Sequence, residues 1–137
     1  VNNPDDKQKI LEIIDSYVHA FETANVDLFE SLFWTDDPRF SEVENDRAKP
    51  FGWETFHSIS AWIRQHGEPG GKMRFHDTAV YILSPEGACS VSMRDEYEGE
   101  KAIPSRVTLI FLKKEGDRKW KSITTITLLI YMTSMSL

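Results

Sequence analysis

The dominant hydrophobic period of this chain changes at the Gly- and Pro-rich segment Gly67-Glu68-Pro69-Gly70-Gly71-Lys72. Before it, apolar residues recur three and four positions apart; after it, they alternate with polar ones. In 137 residues, helices first and strands last predict the α+β class, with helices covering one face of a curved sheet. A chain of this length is read as a single domain, residues 1–137, with one core.

The helical half starts with Asn3 as a cap, Pro4 at the first helical position and Asp5 and Asp6 in the positive first turn. Ile10, Ile13, Ile14, Tyr17, Phe21 and Ala24 follow at helical spacing. Asn25 reads as a turn and a second cap, before a shorter stripe of Val26, Leu28, Phe29, Leu32 and Phe33. From Pro38 to Glu44 the pattern alternates, with Phe40, Glu42 and Glu44 on one side, which predicts a short strand. The stretch Asn45–Pro50 is polar and reads as a loop. Gly52 opens a third helix, with Phe56, Ile59 and Ile63 as its stripe, Trp53 and Trp62 on the flanks and Gly67 as the stop.

Four strand-like runs follow: Met73–Leu83, Ala88–Glu98, Ile103–Lys114 and Lys119–Met132. The turns between them are short and contain Gly or Pro, so the runs are expected to be antiparallel neighbours. In the second run the more apolar side carries Cys89, Val91, Met93, Asp95 and Tyr97, and is expected to face inward. In the last run Ile126, Leu128 and Ile130 lie on one side, and Leu129 and Tyr131 on the other. Both faces therefore need cover, and a homodimer through the sheet would supply it.

Composition narrows the function. A net charge of −6 repels phosphate backbones and anionic lipid, so neither nucleic acid nor a membrane surface is an expected partner. Cys89 is the only cysteine and there is no Asn-x-Ser/Thr acceptor, which fits a reducing compartment, the cytoplasm. Gly67–Lys72 lacks the glycine spacing and the Ser or Thr of a phosphate-binding loop. Nucleophile-elbow, zinc-protease and dinucleotide-binding motifs are absent, and the four histidines are scattered, so neither a metal nor another cofactor is expected. An aromatic share of 12% suggests a lined cavity, with Phe33, Phe40, Trp53, Phe56, Trp62, Met93 and Tyr97 as its expected wall.

The element order, with Tyr17-Val18-His19-Ala20-Phe21, Asn25-Val26-Asp27 and Leu32-Phe33-Trp34-Thr35-Asp36-Asp37, resembles the nuclear transport factor 2-like superfamily. Gly52 at the third helix, Ala88 early in a strand and the charged turn before Trp120 extend the similarity over nearly the whole chain. The resemblance implies a cone-shaped, cystatin-like α+β barrel, often homodimeric, whose open cone holds a small apolar molecule. Ketosteroid isomerases, dehydratases, SnoaL-like polyketide cyclases and non-catalytic association domains share that frame, so fold alone does not assign an activity.

Against the ketosteroid isomerases, Tyr17 falls on the tyrosine that donates to the substrate oxyanion. The general base falls on Ser41 without a gap, or on Glu42 after one inserted residue. The second oxyanion donor falls near Ser105, which is not a carboxylic acid. A carboxylate in an apolar cone is raised in pKa, and a phenol across from it can stabilise enolate charge. Glu42 or Asp95 would take the proton, with Tyr17 as donor. Two functions stay open: acid/base chemistry on a small carbonyl-bearing, steroid- or polyketide-like molecule, and a non-catalytic homodimeric association or regulatory domain with a filled pocket.

Overall fold

The computed structural model describes residues 4–44, 49–67, 71–114, 116 and 119–130. The chain forms α1 (Pro4–Glu22), α2 (Val26–Ser31), β1 (Ser41–Glu44), α3 (Trp53–His66), β2 (Lys72–Ser84), β3 (Gly87–Glu98), β4 (Lys101–Lys113) and β5 (Trp120–Leu129). It is α+β, with helices packed on an open five-stranded sheet of order β1-β5-β4-β3-β2. Pairs β2–β3, β3–β4 and β4–β5 are antiparallel, as the short turns require. The pair β1–β5 is parallel, with Glu42 opposite Thr125.

Helix α1 buries Ile10, Ile14, Tyr17 and Ala20, a spacing that keeps one face on the sheet. Its Asp6 carboxylate accepts from the Trp120 indole at 3.0 Å and from Lys113 at 3.3 Å, tying the first turn to β5 and β4. These bonds outweigh burial and lower the Asp6 pKa. Asn25 caps α2 by accepting from the Leu28 N–H at 3.0 Å. Gly52 and Gly67 bound α3.

Two packed clusters lie under the helices. One joins Ile10 and Ile14 to Ile82, Val107, Leu109, Phe111 and Trp120. The other joins Tyr17, Phe33, Trp34, Phe40, Phe56, Met73 and Ile123. The Trp34 indole donates to the Leu112 carbonyl at 2.9 Å, fixing the α2–β1 connection to the sheet.

Strand β1 starts at Ser41, later than expected, because the chain first turns around Asp37, whose carboxylate accepts from the Arg39 N–H at 2.8 Å. The larger correction concerns β3. Ala88, Ser90, Ser92 and Arg94 are the buried side, while Val91 is 45% exposed. Cys89, Val91, Met93, Asp95 and Tyr97 therefore lie on the face away from the helices. Two of the serines on this inner face are hydrogen-bonded there: Ser92 donates to Thr78 at 3.0 Å and Ser105 on β4 to the Arg94 carbonyl at 3.3 Å. Apolarity was therefore the wrong guide to the inner face.

The Asn3 cap, most of the Asn45–Pro50 loop, the centre of the Gly67–Lys72 segment, parts of the Glu115–Asp117 turn and the Tyr131–Met132 end of the last run lie outside the described residues. Among the described residues no helix is long and apolar enough to cross a membrane.

Candidate functional site

A pocket of about 320 Å³ opens between α1, α3 and the inner face of the sheet. Phe21, Phe29, Phe51, Phe56, Ile59, Ile63, Met73 and Leu129 give it apolar walls, and Tyr17, Glu42, Glu44, Arg94, Glu96, Thr125 and Thr127 give it polar groups. It forms where α3 leans over the end of the sheet at which β1, β5, β4 and β3 lie side by side.

Glu42 is the most constrained of these groups. Its main chain exchanges two hydrogen bonds with Phe51, at 2.8 and 2.9 Å, and on the other side it pairs with Thr125. Alternation from buried Phe40 turns its side chain inward, where the residue is only 5% exposed. Burial pushes its carboxyl up to about 8, with a further push from Glu44. The Thr125 hydroxyl lies near enough to oppose the rise in part, although it stands outside hydrogen-bonding geometry. At neutral pH the group is mostly a neutral acid, able to donate a proton and close to being able to take one.

Tyr17 sits on the buried stripe of α1, its ring against Phe29 at 5.0 Å and Phe75 at 5.6 Å. Burial pushes its hydroxyl up to about 12, Arg94 opposes the rise and Glu42 adds to it, so it remains a phenol. The Arg94 guanidinium donates to the Tyr17 oxygen at 3.4 Å and pairs with Glu96 at 2.9 Å. Its Nε, also buried, has no hydrogen-bond partner among the described residues. The pocket thus holds a neutral acid, a phenol and a paired cation inside aromatic walls. These groups can polarise a carbonyl and move a proton.

Of the residues singled out from the sequence, Tyr17, Glu42 and Phe56 come together at this pocket. Phe33 and Phe40 lie one layer behind, packed on Phe56 at 5.4 and 5.2 Å. Trp53 and Trp62, 37% and 61% exposed, do not line the pocket: Trp53 is tilted against His57 at 4.9 Å and Phe56 at 5.9 Å, and Trp62 stacks on His66 at 5.0 Å. Asp95, Met93 and Tyr97 fall on the outer face because of the reversed parity of β3. There the Asp95 carboxylate meets His76 Nε2 at 3.2 Å. Arg94, Glu96, Thr125 and Thr127 were missed. The alternation Ser90-x-Ser92-x-Arg94-x-Glu96 carried the signal of Arg94 and Glu96, on the side of β3 that was not expected to face inward. Among the described residues no group of three or more His, Cys, Asp or Glu could hold a metal ion.

The sequence matches no protein-family model, and no curated protein matches it. Solved structures do resemble it. An NTF2-like protein of unknown function from Pseudomonas putida KT2440 superposes with a TM-score of 0.79 at 11% identity, covering 98% of this chain and 94% of that one. The association domain of CaMKII from C. elegans gives 0.74 at 14% identity, covering 91% and 96%. A protein from Parabacteroides distasonis ATCC 8503, provisionally designated a ketosteroid isomerase, gives 0.68 at 16% identity, covering 90% and 86%. At these identities the likeness is one of architecture, and activity does not travel with it. The chain has the cystatin-like, NTF2-like fold.

Proposed function

We propose that this protein binds a small apolar, carbonyl-bearing molecule in the pocket between α1, α3 and the sheet, and catalyses acid/base chemistry on it: isomerisation, dehydration or cyclisation. Glu42 carries the proton, and Tyr17 donates to the oxygen on which negative charge develops. Phe56 packs against the apolar body of the ligand. In this reading residues 1–137 are one SnoaL-like domain working in the cytoplasm, without a metal or cofactor. Asp95, which touches no part of the pocket, takes no role.

The observation that carries the reading is Glu42: a residue whose main chain is held from both sides, by Phe51 and by pairing with Thr125, and whose carboxyl is buried and poised near neutrality. A proton carrier works best when its pKa lies near the working pH. The test is a thermal-shift screen of steroid-like, terpenoid and polyketide carbonyl compounds, followed by turnover assays on those that stabilise the protein. Wild-type kcat/KM should rise with pH through about 8 where Glu42 takes the proton, and Glu42→Gln should abolish turnover. Equal rates in wild type and Glu42→Gln would remove the residue from the mechanism.

A second reading has its own observation. Tyr81, Val91, Ile110 and Leu128 share the outer face of the sheet and are 36% to 51% exposed. A similar structure is an association domain. We propose that two copies of this chain meet through this face. The filled-pocket form of the association reading finds no support in Trp53, Trp62 or Tyr97, none of which enters the pocket.

A further inference from the structure

A second pocket, of about 270 Å³, lies between the end of α1, the start of α2 and α3. It shares Phe21, Phe29, Phe56, Ile59 and Ile63 with the first, so one apolar wall serves both. Their other walls differ. The first pocket has carboxyl, guanidinium and hydroxyl groups, whereas the second adds Ala20, Ala24, Val26 and two glycines, with Asn25 and Ser60 as its polar residues. The Asn25 side-chain oxygen is already engaged in capping α2. A bound water needs two to four polar partners, which such a lining scarcely offers, so an apolar group is the better occupant.

Phe21 stands on the divide, 38% exposed. Gly71 faces it, and a Cβ at that position would come within 3.1 Å of the ring edge. The missing side chain leaves the ring its place in the shared wall. At the polar end, Arg94 Nε and Thr125 Oγ1 are buried and have no hydrogen-bond partner among the described residues. A guanidinium N–H can only donate, so the group that satisfies it must be an acceptor. A compact ring system placed in the first pocket would leave the second with no occupant.

Resting on the acid/base reading above, we propose that the ligand is an extended amphiphile. Its head, a carbonyl or carboxyl oxygen, lies in the first pocket within reach of Arg94. Its tail, an unbranched hydrocarbon chain, passes Phe21 into the second pocket.

The test is calorimetric titration of the wild-type protein with straight-chain carboxylates from hexanoate to tetradecanoate, and with methyl ketones of the same lengths. The two series separate the two possible heads. In at least one of them affinity should rise roughly fourfold per added methylene, then level off once the second pocket is full. Affinity that does not depend on length in either series overturns the proposal.

Ser60 lines only the second pocket. Ser60→Leu should therefore remove the gain from the longer chains and leave hexanoate binding unchanged. An equal effect on short and long chains counts against the tail site. Because a larger residue at a buried position can overpack the core, a second measurement uses the wild type: dodecanoate with a diazirine at its terminal carbon. Cross-links should fall on Ala24, Val26 or Ser60. Cross-links confined to Thr125, Thr127 or the outer sheet face overturn the proposal. Turnover of cyclic ketones with no chain-length effect would refute the amphiphile and spare the acid/base reading. Tail cross-links without turnover of any compound would do the reverse.

Discussion

The Arg94 guanidinium on β3 donates to the Tyr17 hydroxyl oxygen on α1 across 3.4 Å, so the phenol accepts from a cation while keeping its own proton to give. Burial holds that proton on, with a pKa pushed up to about 12. Tyr17→Phe deletes the donor and keeps the ring packing against Phe29 and Phe75. Arg94 retains its pair with Glu96. Removing one oxyanion donor typically costs about 10²- to 10³-fold in rate. Tyr17→Phe should lose that much in kcat/KM on a substrate identified by screening, while its Tm falls by only a few degrees, roughly 1 kcal/mol for one hydrogen bond. Wild-type kcat/KM in this variant would show that the hydroxyl plays no part.

Glu42 makes stability depend on pH in a definite direction. Its folded-state pKa of about 8 lies above the ordinary 4.5, so the folded protein holds a proton that the unfolded chain releases. The contribution is complete below 4.5 and is lost as pH rises through 8. Its upper limit is about 5 kcal/mol, from 1.36 kcal/mol per pKa unit. Gln at this position stays neutral throughout. Melting curves between about pH 5 and about pH 9 should therefore show Glu42→Gln gaining on wild type as the solution becomes alkaline. A gap that does not change with pH would mean that Glu42 ionises as it does in water.

Asp37 works in the opposite sense. Its buried carboxylate accepts from the Arg39 N–H and guanidinium and pairs with Lys114 at 2.8 Å, and these bonds hold its pKa well below the usual carboxylate range. The stability it supplies is present above pH 3.8 and is lost as pH falls further. Lys114 also sits over the Trp34 ring at 4.6 Å, so the cluster fixes the approach to β1 and thereby the placement of Glu42. Asp37→Asn should lower the Tm at neutral pH, and the difference from wild type should close on acidification below 3.8. A constant difference would assign the loss to packing.

The sequence made the local features legible and left the non-local ones hidden. Ile10, Ile14 and Tyr17 reveal α1 because helical neighbours are close in sequence, and Asn25 announces α2 through its own side chain. Glu42 could be placed inward because Phe40, two residues before it, is unmistakably core. The pairing of Glu42 with Thr125 joins residues about eighty positions apart, and nothing in either segment specifies a parallel partner. Strand β3 misled because apolar content measures which face needs cover, and here the helices cover the face with Ser90, Ser92 and Arg94. Asp95, Met93 and Tyr97 were carried to the wrong side with that parity. Trp53 and Trp62 were taken for wall as aromatic residues, although their positions on the flanks of α3 leave them exposed.

The same parity defines the last test. Val91 lies on β3 between β2 and β4, so its 45% exposure is not a fraying edge: it is uncovered surface in the middle of a sheet. Ile110 and Leu128 continue this surface onto β4 and β5. If a second copy covers it, the interface is isologous, and a charge introduced near its centre faces its own copy or apolar side chains. Val91→Glu should then convert the dimer to a monomer by light scattering. The Tm of the isolated monomer should change little, because the new carboxylate projects away from the core. A wild-type chain that scatters as a monomer at every concentration would overturn the pairing of two copies through this face.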